Sequence, residues 1–219
     1  MARRIGLLGG SFNPAHRGHR AMSLAAAKAL GLDEVWWLVS PGNPLKPKAG
    51  MAPYAARFES AGQQARRSII KVSDFEAKAG TVYTVDTLRA LIRAHPRKRF
   101  IWLMGEDIVA QFHQWKDWRR LAAKLPIAVL SRPGYADAAR TAPVSSWLRG
   151  FVRPASQARQ WTRWSAPAIV FLRLLPDRTS ATQLRAADPL WHQRSRRNSS
   201  APSCVEPQPN YRRHLGRHP

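Results

Sequence analysis

The chain has 219 residues, 44% of them hydrophobic, and a formal net charge of +23. This length suits one α/β domain with a sizeable core, and the absence of any apolar run near roughly 20 residues excludes a membrane-spanning protein. The start of the chain lacks the apolar core of a signal peptide, and the single Cys204 excludes an intramolecular disulfide and a cysteine zinc cluster. We therefore expect a cytoplasmic protein.

The positive charge comes mainly from arginines that are scattered along the chain. A positive field attracts nucleic acid, and it equally attracts ATP and phosphorylated metabolites. Because the arginines accompany abundant Ala, Pro and Trp, the pattern indicates a compositional bias laid over an ordinary fold. We expect incidental RNA binding and no dedicated nucleic-acid partner.

Apolar runs alternate with helical patterns along the chain. The predicted strands are short and apolar on both faces, and they cover residues 4–8, 35–39, 68–72, 100–104, 127–130 and 169–174. The predicted helices between them cover residues 18–30, 54–67, 84–94 and 118–124. Strands of this kind are typical of a parallel sheet between helix layers. The alternation predicts a Rossmann-like, doubly wound α/β domain that binds ligands at the carboxyl ends of its strands.

Composition divides the chain into a domain and a tail. We predict a catalytic domain over residues 1–188, with a looser insertion over 133–167 that is rich in Pro, Ser, Arg and Trp and holds one short helix near 145–151. Residues 189–219 show no apolar periodicity and carry six Arg against one Glu. We predict that this basic tail is mostly disordered.

The sequence GGSFNPAHRGH follows the first predicted strand at residues 9–19 and leads into the first predicted helix. A strand, a glycine turn and a helix offer backbone N–H groups and a positive helix end to phosphate. Neither the dinucleotide-binding fingerprint nor the Walker loop fits these residues. The pattern G-x-F-x-P-x-H-x-G-H resembles the nucleotidyltransferase superfamily, which joins a nucleotide to a phosphorylated acceptor. Two histidines, His16 and His19, in this glycine and proline frame favour phosphate chemistry over a purely structural pair.

Further motifs occur in order along the chain: NPLK at 43–46, YTVDTL at 83–88, GED at 105–107, FHQW at 112–115, RPGY at 132–135 and SATQLR at 180–185. Together with the first motif, from about residue 5 to residue 186, they resemble the bacterial nicotinate-nucleotide adenylyltransferases. That resemblance implies transfer of AMP from ATP to nicotinate mononucleotide, giving deamido-NAD and pyrophosphate.

The resemblance also implies roles for individual residues. The residues implied to bind ATP are Gly9, Gly10, Ser11, Phe12, His16, His19, Gly105, Asp107, Ser180, Thr182 and Arg185. The residues implied to bind the acceptor are Lys46, Thr84, Trp115 and Arg132. The catalytic residues among these are His16, His19, Lys46 and Arg185. Mg²⁺ is expected to bind through the ATP phosphates, with few or no protein ligands of its own.

Plainer interpretations of several residues remain open from sequence alone. Ser180 could simply cap a helix, and Asp107 could be the N-cap of the helix that follows its strand. Lys46 could be a solvated loop residue, and Trp115 is one of nine tryptophans, most of which should be core or surface filler. The adjacent Trp36 and Trp37 must point to opposite faces of their strand and are interpreted as packing residues.

Other functions also remain open. The acceptor could be nicotinamide mononucleotide or another phosphorylated molecule, and the chain could instead be a basic RNA-associated protein with a retired catalytic site. Members of the resembled family usually end in an apolar C-terminal helix that packs on the domain. The sequence of residues 189–219 predicts no such helix, which is a departure from the family pattern.

Overall fold

The computed structural model describes residues 2–42, 49–130, 143–173 and 179–194. The strands in these residues are β1 (Arg4–Gly10), β2 (Glu34–Val39), β3 (Ile70–Ser73), β4 (Arg99–Gly105), β5 (Ile127–Leu130), β6 (Val152–Arg153) and β7 (Ile169–Leu172). These strands pair in parallel in one sheet of order β3-β2-β1-β4-β5-β7-β6. The sheet confirms the predicted Rossmann-like, doubly wound class.

Helices connect the strands. They are α1 (Arg17–Leu30), α2 (Tyr54–Ala65), α3 (Phe75–Lys78), α4 (Thr84–Ala94), α5 (Glu106–Val109), α6 (Trp118–Ala122), α7 (Pro143–Leu148), α8 (Ala181–Ala187) and α9 (Trp191–Arg194). The 3₁₀-helices in the described residues cover Phe112–Gln114, Arg149–Phe151 and Ala155–Arg163. Within the described ranges, none of the helices has the length and apolar character needed to cross a bilayer.

The core lies on both faces of the sheet because successive side chains of a strand point to opposite sides. Trp36 packs on one face with the residues of α4 and α6, and Trp37 packs on the other with α1 and α2. Both tryptophans are buried, as predicted. Helices therefore cover each face, and the strand ends remain for a ligand.

The 3₁₀-helix Ala155–Arg163 lies against the C-terminal end of α1. The last carbonyls of a helix have no partner within the helix, and here the indole Nε1 of Trp161 donates to Leu30 O at 3.1 Å while Arg159 Nη2 donates to Lys28 O at 3.1 Å. Trp161 is 1% exposed. This 3₁₀-helix lies within the predicted looser insertion of residues 133–167. Its residues Ala158 and Trp161 pack into the core.

Several sequence predictions need correction or fall outside the described residues. The six predicted strands are all present, and β6 is an additional short strand at the sheet edge that was not predicted. The short helix predicted near 145–151 corresponds to α7 and the 3₁₀-helix after it. Within the predicted tail, α9 is helical, and residues 195–219 lie outside the described residues.

Candidate active site

A cleft of about 450 Å³ lies at the carboxyl ends of β1, β2 and β4. Every predicted site residue that the structure describes lines this cleft: Gly9, Gly10, Ser11, Phe12, His16, His19, Thr84, Gly105, Asp107, Trp115, Ser180, Thr182 and Arg185. The predicted residues Lys46 and Arg132 lie outside the described residues. The described residues of motifs that are separated in sequence therefore meet in one site.

His16 is the N-cap of α1, a position that Ser, Thr, Asp or Asn usually occupies. Its Nδ1 accepts a hydrogen bond from Gly18 N at 3.1 Å, and Nδ1 of His19 accepts one from His16 N at 3.3 Å. A ring nitrogen that accepts carries no proton, so each neutral imidazole holds its proton on Nε2. The backbone thus fixes both histidines as Nε2–H donors at the positive end of α1.

The turn before α1 is held by aromatic packing. Phe12 has a φ of 47°, a left-handed conformation that costs a side chain about 1–2 kcal/mol. Its ring stacks on Trp37 with centroids 4.9 Å apart and contacts the His19 ring at 5.0 Å. Trp37 is fixed in turn by a 2.8 Å hydrogen bond from its Nε1 to Ser23 Oγ. A buried chain of contacts therefore orients the His19 ring.

Gly9 lets the neighbouring strand approach the turn. A Cβ at this position would lie 2.6 Å from Cη2 of Trp102, well inside van der Waals contact. Trp102 is on β4 and is 2% exposed. Packing across the sheet therefore favours glycine at residue 9.

The helix α8 packs against the glycine turn, the segment between β1 and α1. Ser180 is its N-cap and accepts from Gln183 N at 3.2 Å, so the capping interpretation of Ser180 is correct. Arg185 donates from Nη1 to Asn13 O at 2.6 Å and from Nη2 to Thr182 Oγ1 at 3.3 Å. The guanidinium therefore lies between α8 and the glycine turn, with Thr182 beside it.

Trp102, Phe112 and Trp115 form an aromatic wall beside the end of β4, and two of them, Trp102 and Trp115, line the cleft. The Trp115 ring packs edge-to-face on Trp102 and Phe112, with centroids 6.3 and 5.5 Å apart. Trp115 is only half-buried and presents area to the cleft. Thr84, at the start of α4, lies on the same cleft.

The N-cap interpretation of Asp107 is wrong. The N-cap of α5 is Gly105, and Asp107 is the second residue of the helix. The chain turns directly from β4 into α5, and a Cβ at Gly105 would collide with Oδ1 of Asp107. The carboxylate therefore folds back over the end of β4, at the edge of the cleft.

Sequence reasoning missed a buried carboxyl in the cleft. Glu76 on α3 lines the cleft, is 8% exposed and accepts a hydrogen bond from Ser40 Oγ at 3.3 Å. Burial raises the pKa of Glu76 to about 7, and the Ser40 hydrogen bond opposes this in part. An acidic residue shortly after a strand was the only sequence signal, and such residues are usually solvated.

The fold and the cleft define a nucleotidyltransferase of the Rossmann-like class. The model of the cytidylyltransferase-like family matches residues 7–163. A probable nicotinate-nucleotide adenylyltransferase of Erythrobacter litoralis is 58% identical over 193 residues, which cover 88% of each chain. A relative of the same description from Parvibaculum lavamentivorans is 49% identical over 182 residues, covering 83% of this chain and 90% of its own. The chain belongs to the cytidylyltransferase-like family and, within it, to the nicotinate-nucleotide adenylyltransferases.

Solved structures show the same fold at low sequence identity. The nicotinic acid mononucleotide adenylyltransferase of Plasmodium falciparum, in complex with NaAD, has a TM-score of 0.60 and 15% identity. The same protein in complex with APC has a TM-score of 0.59. Each alignment covers 84% of this chain and 83% of the other.

Proposed function

We propose that this enzyme transfers the AMP moiety of ATP to the 5′-phosphate of nicotinate mononucleotide, releasing pyrophosphate and forming deamido-NAD. The observation that carries the proposal is the single cleft in which the histidine-capped start of α1, the helix α8 and the Trp115 wall meet, in a chain of this family. In the reaction, an oxygen of the acceptor phosphate attacks the α-phosphorus of ATP as the bond to pyrophosphate breaks. Catalysis then consists of positioning and charge stabilisation.

The turn and α1 supply the phosphate half of the site. Backbone N–H groups donate to Nδ1 of His16 and of His19, so each neutral ring carries its proton on Nε2. These Nε2–H groups are proposed to donate to the phosphates of ATP. We assign His19, which is partly buried and lines the cleft, to the α-phosphate. The positive end of α1 adds attraction for the charge that develops on the phosphate oxygens.

Arg185 is proposed to stabilise the leaving pyrophosphate. Its bond to Asn13 O brings the guanidinium against the turn that receives ATP, and a guanidinium retains donors for phosphate oxygens after making two bonds. Ser180 and Thr182 lie beside it on the cleft. The hydroxyl of Ser180 acts as a helix cap here, so its proposed contribution to the phosphates is to fix the start of α8.

The aromatic wall and α4 are proposed to receive the acceptor. The Trp115 face suits the pyridine ring, and the N–H groups at the start of α4 suit the nicotinate carboxylate. Asp107 is proposed to accept a hydrogen bond from a nucleotide hydroxyl. Lys46 and Arg132 remain predicted to contact the acceptor.

The Mg²⁺ ion is expected to enter as part of the ATP complex and to neutralise phosphate charge there. In the described part of the chain, no group of three His, Cys, Asp or Glu residues is placed to hold a metal. The protein's own contribution is then to bind the nucleotide and to orient the two substrates. We propose the cytoplasm as the compartment of this reaction.

Pyrophosphate release with ATP and a panel of phosphorylated acceptors tests the proposal. We expect kcat/KM for nicotinate mononucleotide to exceed that for nicotinamide mononucleotide by roughly 10- to 150-fold, because the amide loses a hydrogen bond of about 1.5–3 kcal/mol to a charged group. Equal or better use of the amide would contradict the acid-specific assignment. Turnover of no acceptor, together with salt-sensitive RNA binding, would support the retired-site alternative.

A further inference from the structure

Arg57 is a buried cation beneath the cleft. It lies on α2 and is 1% exposed. Its guanidinium donates to four backbone carbonyls: Nε to Ala52 O at 3.0 Å, Nη1 to Ser11 O at 2.7 Å and to Ser40 O at 2.8 Å, and Nη2 to Pro41 O at 3.2 Å. These carbonyls belong to the glycine turn and to both ends of the loop that follows β2.

Burying this charge is costly, so its retention calls for an explanation. Burial lowers the pKa of Arg57, although a guanidinium remains charged in proteins. Among the residues that the structure describes, no carboxylate pairs with it, and its charge is compensated by the four carbonyl dipoles and by the ring of Tyr54, whose centroid lies 5.5 Å from the guanidinium carbon. Lysine has the same charge but donates from one point, so it cannot reach carbonyls that converge from several directions.

The segments that Arg57 joins are both walls of the cleft. Ser11 directly precedes Phe12, whose φ of 47° begins the turn that leads to the histidine pair. Ser40 lines the cleft and donates to Glu76 of α3, and the chain after α3 continues to Thr84 on the acceptor side. One guanidinium therefore joins the glycine turn to the loop after β2, and residues of both segments line the cleft.

Asn13 makes a second connection between the same segments. Its Nδ2 donates to Gly50 O at 2.9 Å, and its Oδ1 accepts from Ala52 N at 3.2 Å. The end of the loop after β2 is therefore bound to the glycine turn from two sides, by Asn13 above and Arg57 below. The separation of the two walls depends on these buried contacts.

We propose that Arg57 is a positioning residue for both substrates, which holds the glycine turn that receives ATP and the loop after β2 at the distance that in-line transfer requires. The proposal rests on the proposed function for the identity of the substrates. Arg57 does not line the cleft and acts through the backbone of Ser11, Ser40 and Pro41. A residue that only stabilised the fold would leave substrate constants unchanged.

The test compares Arg57→Lys and Arg57→Met with the wild-type chain, using Arg4→Lys as the matched control. Arg4 also donates to backbone carbonyls, those of Gly31 and Arg159, but it lies at the amino end of β1, on the opposite edge of the sheet. Steady-state KM and kcat are measured for each substrate, and calorimetry measures binding of ATP and of nicotinate mononucleotide separately. Thermal melting reports the stability of every variant.

For Arg57→Lys we expect kcat/KM to fall about 10-fold or more, since small misplacements of reacting groups cost up to about 100-fold, with weaker binding of both ligands. Arg57→Met should lose at least as much, and Arg4→Lys should lower only the melting temperature. Unchanged constants in a folded Arg57→Lys, weakening of one ligand alone, or failure of Arg57→Lys to fold would each overturn the proposal. If the wild-type chain binds both ligands without turnover, the proposed reaction fails while the binding data still decide the role of Arg57.

Discussion

The histidine that caps α1 allows the structural and the catalytic contributions of one side chain to be separated. His16 caps the helix through Nδ1 and lines the cleft, where we propose that its Nε2–H donates to a phosphate of ATP. Asparagine is among the best N-cap residues, and its carbonyl oxygen can accept the bond from Gly18 N. His16→Asn therefore keeps the cap but replaces the Nε2–H donor with the shorter Nδ2–H₂ group, which does not reach the same position. His16→Ala removes both the cap and every side-chain donor.

The expected magnitudes follow from these two bonds. Loss of the cap in His16→Ala should lower the free energy of unfolding by about 0.5–2 kcal/mol, and His16→Asn should lower it by about 0.5 kcal/mol or less. Loss of a donor to developing charge should lower kcat by about 100-fold or more in both variants. Urea unfolding measures the first quantity, and pyrophosphate release measures the second.

A matched control is His192→Asn, because His192 lies on α9 and does not line the cleft. It should change neither quantity. If His16→Ala keeps the wild-type kcat, His16 is only a helix cap and its catalytic assignment is wrong. If His16→Asn is as unstable as His16→Ala, the capping geometry is wrong instead.

Three further predictions concern other parts of the cleft. Arg185→Ala should raise the KM for pyrophosphate in the reverse reaction by about 10-fold or more, because it removes a charged hydrogen-bond donor; an unchanged KM would exclude Arg185 from the leaving-group site. Trp115→Ala should raise the KM of both mononucleotides about 10-fold through lost ring contact, and the KM for ATP should stay within about 2-fold; an equal effect on ATP would show general damage to the cleft. The pKa of Glu76 rises from 4.5 to about 7 on folding, so the unfolded chain releases this proton first and stability falls as pH rises through that interval. Relative to Glu76→Gln, the wild-type free energy of unfolding should therefore decrease by up to about 3 kcal/mol between pH 4.5 and pH 7, and parallel urea-derived profiles for the two proteins would contradict this.

The sheet was predictable because its strands are unambiguous in the sequence. Buried runs such as residues 100–104 and 127–130 are apolar on both faces, and each is bounded by turn residues or a helical pattern. The short strand β6 was not predictable, since its two residues are both exposed and no periodicity exists over that length. Four-residue helices such as α3 and α5 likewise carry too few residues to show a period.

The location of the site was predictable from the motifs, whereas its internal bonds were not. The sequence indicates a helix start near His16 but cannot indicate that histidine rings take the capping role that serine or asparagine usually has. Trp161 occurs in a segment whose composition suggests a loose loop, and its burial depends on a carbonyl 131 residues away. Arg57 resembles a solvated helix residue until the loops that surround it are known.

The bond between Arg185 and Asn13 joins positions that are 172 residues apart, and this separation has a consequence for biosynthesis. The ribosome releases the residues of β1, α1 and β2 early, and these can pair while the rest of the chain is still being translated. Arg185, which donates to the glycine turn, leaves the exit tunnel much later. The strands β1, β2 and β3 of a nascent chain can therefore assemble before the nucleotide site is complete, and a translation product that terminates before residue 185 carries the histidine turn without its partner.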